Sequence, residues 1–165
     1  MLYFAYASHM DPEQMARSGT DHTVVGLASL HEYRLSFPMY SNIWEGGVAS
    51  VQPHHGDQVW GVLYEVSDER LEKLDREYGY RGPDDQHNVA DREHVTVELV
   101  RPDDGSIPRP LRAWLYMARP SNPSPPSRRY LDAILRGAQH HELPEEYILA
   151  LRAIEVEEKP GSATG

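Results

Sequence analysis

The feature that most constrains this chain is the order in which its hydrophobic period changes. Residues 93–100, EHVTVELV, alternate with a period of two and place Val95, Val97 and Leu99 on one side of a strand. The opening stretch LYFAYASHM (2–10) behaves the same way over residues 2–6, then breaks into a turn of small and polar residues. Strand-like segments continue through HTVVGLASLHEYRLSFP (22–38), with Val24, Leu27, Leu30, Leu35 and Phe37 as core candidates. GGVASVQPHHGDQVWGVLYEV (46–66) reads as two strands around a turn at His54–Asp57, and LRAWLYMA (111–118) as another strand. Helical spacing enters briefly at 11–19, where Asp11 can cap and Pro12 fits the first turn. It returns at 68–79 behind a Ser67 cap, with Leu71, Leu74 and Tyr78 on one face and Gly79 at the stop. It then dominates the end: RRYLDAILRGAQHH after a Ser127 cap, and 143–158 with Pro144 near its start. Strands first and helices last predict an α+β fold in a single domain over 1–158. Polar turns are expected at 81–88 and 101–110, a Pro-rich crossing at 119–127, and a flexible tail at 159–165.

Composition narrows what such a domain does. Its 165 residues can enclose a core, and 39% hydrophobic with 25% charged residues suits a globular chain. A formal charge of -10 argues against nucleic acid or an anionic membrane as partner, because both select a basic surface. Without cysteine there is no disulfide, thiolate nucleophile or cysteine metal site. The first apolar stretch is short and lacks a basic leader, so no signal peptide is expected and a cytoplasmic protein is the default. Nine histidines raise the question of metal, but His54–His55 and His140–His141 are adjacent pairs and no spaced ligand motif occurs, so no metal site is expected. P-loop, dinucleotide and serine-elbow motifs are also missing.

Two local features remain. Gly46–Gly47 opens a strand, which taken alone fits a bulge better than a close approach of another backbone. The turn Tyr6-Ala7-Ser8-His9 follows a strand and precedes a helix, where successive amides can form an anion-binding nest. Turns without ligands are commoner, so this signal is weak by itself.

Together the segments resemble the gamma-glutamylcyclotransferase-like family. YFAYASHM is similar to that family's YFAYGSNM opening, and GGVASV, GDQVWGVLYEV, LEKLDREYGYRGP, AWLYMA and PPSRRYLDAILRGAQHHELPEEYILALRAIE follow in family order. The resemblance covers most of residues 2–155 and implies a small mixed β-barrel flanked by helices, with a pocket at one mouth. It implies a small-molecule substrate with a glutamyl-like acyl group and no cofactor, and leaves room for a homodimer. Family members release pyroglutamate from gamma-glutamyl amines: the substrate's own α-amine attacks its γ-carbonyl and closes a five-membered ring. Such intramolecular attack profits from proximity, with effective molarities of order 10⁵ M or more in well-oriented cases. The protein holds the chain curled, offers donors to the oxyanion and moves protons.

The chain departs from the family at three places. Ala7 stands for a glycine, which is harmless only if its φ is negative. His9 stands for an asparagine, exchanging an amide for a titratable ring. The family's catalytic glutamate directly precedes glycine in EGY, whereas here Tyr78 occupies that position and Glu77 lies one residue earlier. One residue turns a helical side chain by about 100°, so Glu77 either points away from the pocket as an exposed helix residue or reaches in through a rewound helix end. The resemblance assigns binding to Tyr6, Ala7, Ser8, His9 and Tyr116, and the proton carrier to Glu77 or His9. Tyr78 is too weak a base at neutral pH to serve alone. Each has a plainer reading: Tyr6, Tyr78 and Tyr116 as core aromatics, Ser8 as a cap, His9 as a turn histidine. The leading expectation is an enzyme that cleaves a gamma-glutamyl amine. Its rivals are a non-catalytic small-molecule binder and an enzyme of different chemistry in the same pocket.

Overall fold

The computed structural model describes residues 1–100 and 109–157. Within them the strands are β1 (Leu2–Ala5), β2 (His22–Ser41), β3 (Gly46–Val66), β4 (Ala90–Val100) and β5 (Arg109–Ala118). The helices are α1 (Pro12–Arg17), α2 (Asp68–Tyr78), α3 (Arg128–His140) and α4 (Glu145–Arg152), with one 3₁₀ turn at Ser8–Met10. The strands close into a barrel in the order β1-β3-β2-β4-β5. β1 seals it: Tyr3 lies opposite Tyr64 in antiparallel β3 and opposite Trp114 in parallel β5. The barrel is therefore mixed, as the resemblance implied. Most of the turn expected at 101–110 and the tail at 159–165 lie outside the described residues.

Alternation explains the two cores. Phe4, Leu63, Val97, Leu99, Ala113 and Leu115 face one side of their strands and cluster without any helical residue, which is the barrel interior. Tyr3, Val62, Tyr64 and Tyr116 face the other side and pack against Met10, Met15, Leu71, Leu74, Ile134 and Leu151. Val24, a core expectation, is instead 49% exposed. The register slips between Val24 and Gly26, which breaks the alternation before Ala28, Ser29 and Leu30 become buried in succession.

Two further expectations need correction. Residues 46–66 are one strand, and both halves pair with β2 rather than with each other: Tyr33 opposes Pro53 and His31 opposes Gln58. His54–Asp57 bulge outward opposite Glu32, whose carboxylate accepts from His55 Nδ1 at 2.8 Å and the Gly56 amide at 3.1 Å. Gly46 and Gly47 form no bulge, because they pair in register with Ser41 and Tyr40. They admit another backbone. A Cβ on Gly47 would sit 1.8 Å from the Ser124 carbonyl oxygen, and one on Gly46 would sit 2.4 Å from the Ser127 nitrogen. The Gly47 amide donates to Pro125 O at 2.8 Å. The Pro-rich crossing is thereby strapped onto the hairpin, and the start of α3 is held beside it.

The helices form where their caps predict. Asp11 accepts from the Glu13 amide, Ser67 from the Arg70 amide and Ser127 from the Tyr130 amide. α2 ends at Gly79 in the left-handed conformation. α4 stops at Arg152, short of the expected 158.

Candidate active site

The C-terminal ends of β1, β2 and β5 and the N-terminal ends of β3 and β4 lie at one end of the barrel, as the strand registers require. There the turn after β1, the end of α2, the β2–β3 hairpin and the start of α3 enclose a cavity of about 390 Å³. That size suits a small molecule.

The opening turn contributes Tyr6, Ala7, Ser8 and His9 to its lining. Ala7 has φ -130°, so the alanine is accommodated without left-handed strain. Among the described residues, the amides of Ala7, Ser8 and His9 donate to no protein acceptor; the next two, of Met10 and Asp11, return to Ala7 O and Ser8 O. These free donors follow from geometry, since the first amides of a helical turn have no partner within it. The Ser8 hydroxyl caps neither the 3₁₀ turn nor α1, whose cap is Asp11. Tyr6 is buried and its hydroxyl donates to the Tyr116 carbonyl, which ties the turn to β5.

His9 stands at the centre. Its Nδ1 lies 2.9 Å from the Tyr3 hydroxyl and 3.2 Å from the Tyr78 hydroxyl, and those two hydroxyls are 3.2 Å apart. Its Nε2 lies 3.7 Å from Glu77 Oε2. This distance is longer than a hydrogen bond but within ion-pair range. The ring stands edge-on to Tyr78. Burial holds the imidazole down to about 4, with the Arg70 and His22 charges adding to the effect, so it is neutral at pH 7. A carboxylate can only accept, so the tautomer protonated on Nε2 is the one that turns an N–H toward Glu77 and leaves Nδ1 to accept from a tyrosine. Burial also raises Glu77, opposed by Arg70, Ser18 and Lys73. It pushes the Tyr78 phenol up to about 12.

Glu77 therefore does not turn away: although its side chain is 41% exposed, it meets His9 on the cavity wall. Tyr78 points inward and stacks on Tyr116 at 4.2 Å between centroids. The Tyr116 hydroxyl donates to Asp75 at 2.7 Å, and Arg92 donates twice to the same carboxylate. Tyr116 thus offers the cavity a fixed ring, with its hydroxyl engaged behind the wall. Arg70 sets the opposite side. Fully buried on α2, it donates to Met15 O at 2.6 Å and Ser18 Oγ at 2.9 Å, which holds α1 and the turn before it against α2.

Several lining residues were not found by sequence reasoning. Tyr3 was legible only as a strand residue, although alternation already placed it opposite to Phe4. Trp44 and Arg129 reach the cavity through the strap: Arg129 donates to Ile43 O and lies 4.9 Å from the Trp44 ring centroid. Their convergence depends on Gly46–Gly47 admitting the 124–127 backbone, which no local pattern shows. Among the described residues no group of histidines and carboxylates could hold a metal, and no helix is long and apolar enough to cross a membrane.

A closed mixed barrel with this cavity at one end defines the class of protein: the chain belongs to the AIG2-like family, whose model matches residues 58–151. Its relatives are more particular. The chain is 29% identical over 165 residues to the gamma-glutamylcyclotransferase of Mus musculus, covering 97% of this chain and 81% of that one. It is 29% identical over 168 residues to the gamma-glutamylcyclotransferase of Homo sapiens, covering 99% and 83%. A solved gamma-glutamyl cyclotransferase superposes with a TM-score of 0.85 at 27% identity, covering 98% of this chain and 92% of its own. YkqA from Bacillus subtilis shares the fold, with a TM-score of 0.74 at 23% identity over 95% of this chain and 56% of its own.

Proposed function

We propose that the protein is a gamma-glutamylcyclotransferase-like enzyme that cleaves a gamma-glutamyl amine by internal cyclisation and releases pyroglutamate. The observation that carries this reading is the cavity itself. Ala7, Ser8 and His9, whose amides donate to no acceptor among the described residues, line it beside a cluster of titratable side chains, next to the position of the family's glutamate. Those amides and Ser8 would take the oxygen of the γ-carbonyl as it becomes an oxyanion. The ring of Tyr116, locked by Asp75, would press the curled glutamyl chain into place, and Tyr6 would keep the turn in register. Arg129, at the rim, is a cation suited to the substrate's α-carboxylate. The reading carries with it a small-molecule substrate, no cofactor and a cytoplasmic location. Its test is pyroglutamate release from a panel of gamma-glutamyl amines; no turnover of any member at high enzyme concentration sinks it.

One observation favours a non-catalytic binder instead. The residue at the family's glutamate position is a phenol pushed up to about 12, which cannot itself serve as a base at neutral pH. On that reading the native chain binds gamma-glutamyl compounds without turnover, and activity emerges only in Tyr78→Glu.

A further inference from the structure

Two of the departures from the family pattern touch each other. His9 and Tyr78 are 69 positions apart in the chain, yet the imidazole Nδ1 and the phenol oxygen are 3.2 Å apart, and Glu77 lies 3.7 Å from the other ring nitrogen. The one-residue displacement of the carboxylate is met by a ring that spans the gap. We propose that Tyr78, His9 and Glu77 form a proton relay that replaces the single glutamate: Tyr78 exchanges protons with the substrate, His9 stores them, and Glu77 positions and steadies the imidazolium. This inference rests on the cyclotransferase reading and specifies its proton chemistry.

The Tyr78 oxygen accepts a proton from the substrate's α-ammonium while its own proton passes to His9 Nδ1. The amine nitrogen then bonds to the γ-carbonyl carbon, whose oxygen becomes the oxyanion. As the amide C–N bond breaks, the proton returns from His9 through Tyr78 to the leaving nitrogen. The second proton of the attacking nitrogen follows the same route, through Tyr78 and His9, to the departing amine; the attacking nitrogen thus gives up two protons, the leaving nitrogen departs as an ammonium, and the relay ends as it began. Tyr78 never becomes a free phenolate, so its weakness as a base is no obstacle. Tyr3 completes the arrangement: its hydroxyl, 2.9 Å from Nδ1 and 3.2 Å from the Tyr78 oxygen, can hold Nδ1 in the empty site and donate instead to the Tyr78 oxygen once Tyr78 donates to Nδ1. The basicity is also matched. The buried imidazole, at about 4, is close to an ordinary glutamate near ~4.3.

The experiment compares pyroglutamate release by the native protein, His9→Asn, Tyr78→Phe, Glu77→Gln and the double variant His9→Asn/Tyr78→Glu, which restores both family residues. We expect His9→Asn and Tyr78→Phe to lose roughly 100-fold or more in kcat with KM within a few-fold, in the range of general acid–base catalysis. We expect Glu77→Gln to lose roughly tenfold, and the double variant to recover to within about tenfold of native. Nitrogen NMR of the imidazole gives a readout independent of activity: the native ring carries its proton on Nε2, and the Nδ1 signal moves in Tyr78→Phe. Thermal melts show whether each variant is folded; if His9→Asn is not, Tyr78→Phe and Glu77→Gln decide. Native turnover that survives both single substitutions in folded protein overturns the relay and leaves the cyclotransferase reading intact. Turnover by the double variant alone also overturns the relay, since the cavity then takes the substrate but the native groups do not carry its protons. If neither native nor double variant turns over any gamma-glutamyl amine, the cyclotransferase reading falls, and the relay with it.

Discussion

Tyr116 separates two roles that a tyrosine on a pocket wall can play. Its hydroxyl is spent on Asp75, which also holds Arg92, and its ring supports Tyr78. Tyr116→Phe should therefore lower stability by about 2 kcal/mol, the scale of a hydrogen bond to a charged group, while KM for a gamma-glutamyl amine moves less than about threefold. Urea denaturation and steady-state kinetics check this together; a large rise in KM at unchanged stability would return the hydroxyl to the substrate. At this scale the sequence picks out residues that the structure brings together, without giving their contacts. Ser8, His9, Glu77, Tyr78 and Tyr116 all line one cavity. That Glu77 turns toward His9 was not legible, because it depends on contact with a residue 68 positions earlier, and helical spacing carries no information about that.

At the scale of elements, the site depends on how closely α3 and α2 hold the 3₁₀ turn. Gly137 of α3 lies against that turn: a Cβ there would stand 2.4 Å from the Met10 carbonyl carbon and 2.5 Å from the Asp11 nitrogen. Backbone cannot yield as a side chain can, so Gly137→Ala should cost about 1–3 kcal/mol, as overpacking does, and displace His9 from Tyr78. The check is a fall in urea midpoint accompanied by a shifted imidazole signal. From the other side, Arg70 satisfies Met15 O, Ser18, Asp21 and His22 from a fully buried position. Arg70→Ala removes a donor from each of those partners, although Met15 O keeps Ser18 and Asp21 keeps Ser67, and should destabilise by about 1–3 kcal/mol, seen as a lower melting temperature. Helix positions were legible because capping is local: Asp11, Ser67 and Ser127 announce α1, α2 and α3. The hairpin was misread at 54–57 because a turn-forming composition is the same whether the chain reverses there or merely bulges. The role of Gly46–Gly47 was misread because the backbone they admit lies nearly 80 residues further along.

For the molecule as a whole, the buried histidine predicts how stability follows pH. His9 is held at about 4 when folded and returns to about 6.5 when unfolded. Between those values the unfolded chain binds more protons, so stability rises with pH across the window and is lost as pH falls from about 6.5 toward 4. The His9 contribution is of order 3 kcal/mol at neutral pH. His22 and His141, also lowered by burial, act in the same direction, whereas Glu77, raised by burial, opposes them at the acid end. Urea denaturation from pH 4.5 to 7.5 should give a positive slope that is shallower in His9→Asn. The α+β class and the family were legible across the chain. Barrel closure was known only through resemblance, because which strand neighbours which is decided by packing that period-two alternation does not encode.

That closure also has a consequence for how the protein comes into being. β1 takes its two neighbours from β3 and β5, the latter at Trp114. A nascent chain that has not yet delivered β5 therefore shows two raw sheet edges, at β1 and β4, and is open to aggregation on both. It also holds Tyr3, His9, Glu77 and Tyr78 already in hand but without Tyr116 to stack against. The titratable groups of the cavity are made early, and their enclosure comes late. On this topology a stalled or clipped fragment ending before β5 is without a finished chamber, and whatever the cavity holds must wait for the last strand to arrive.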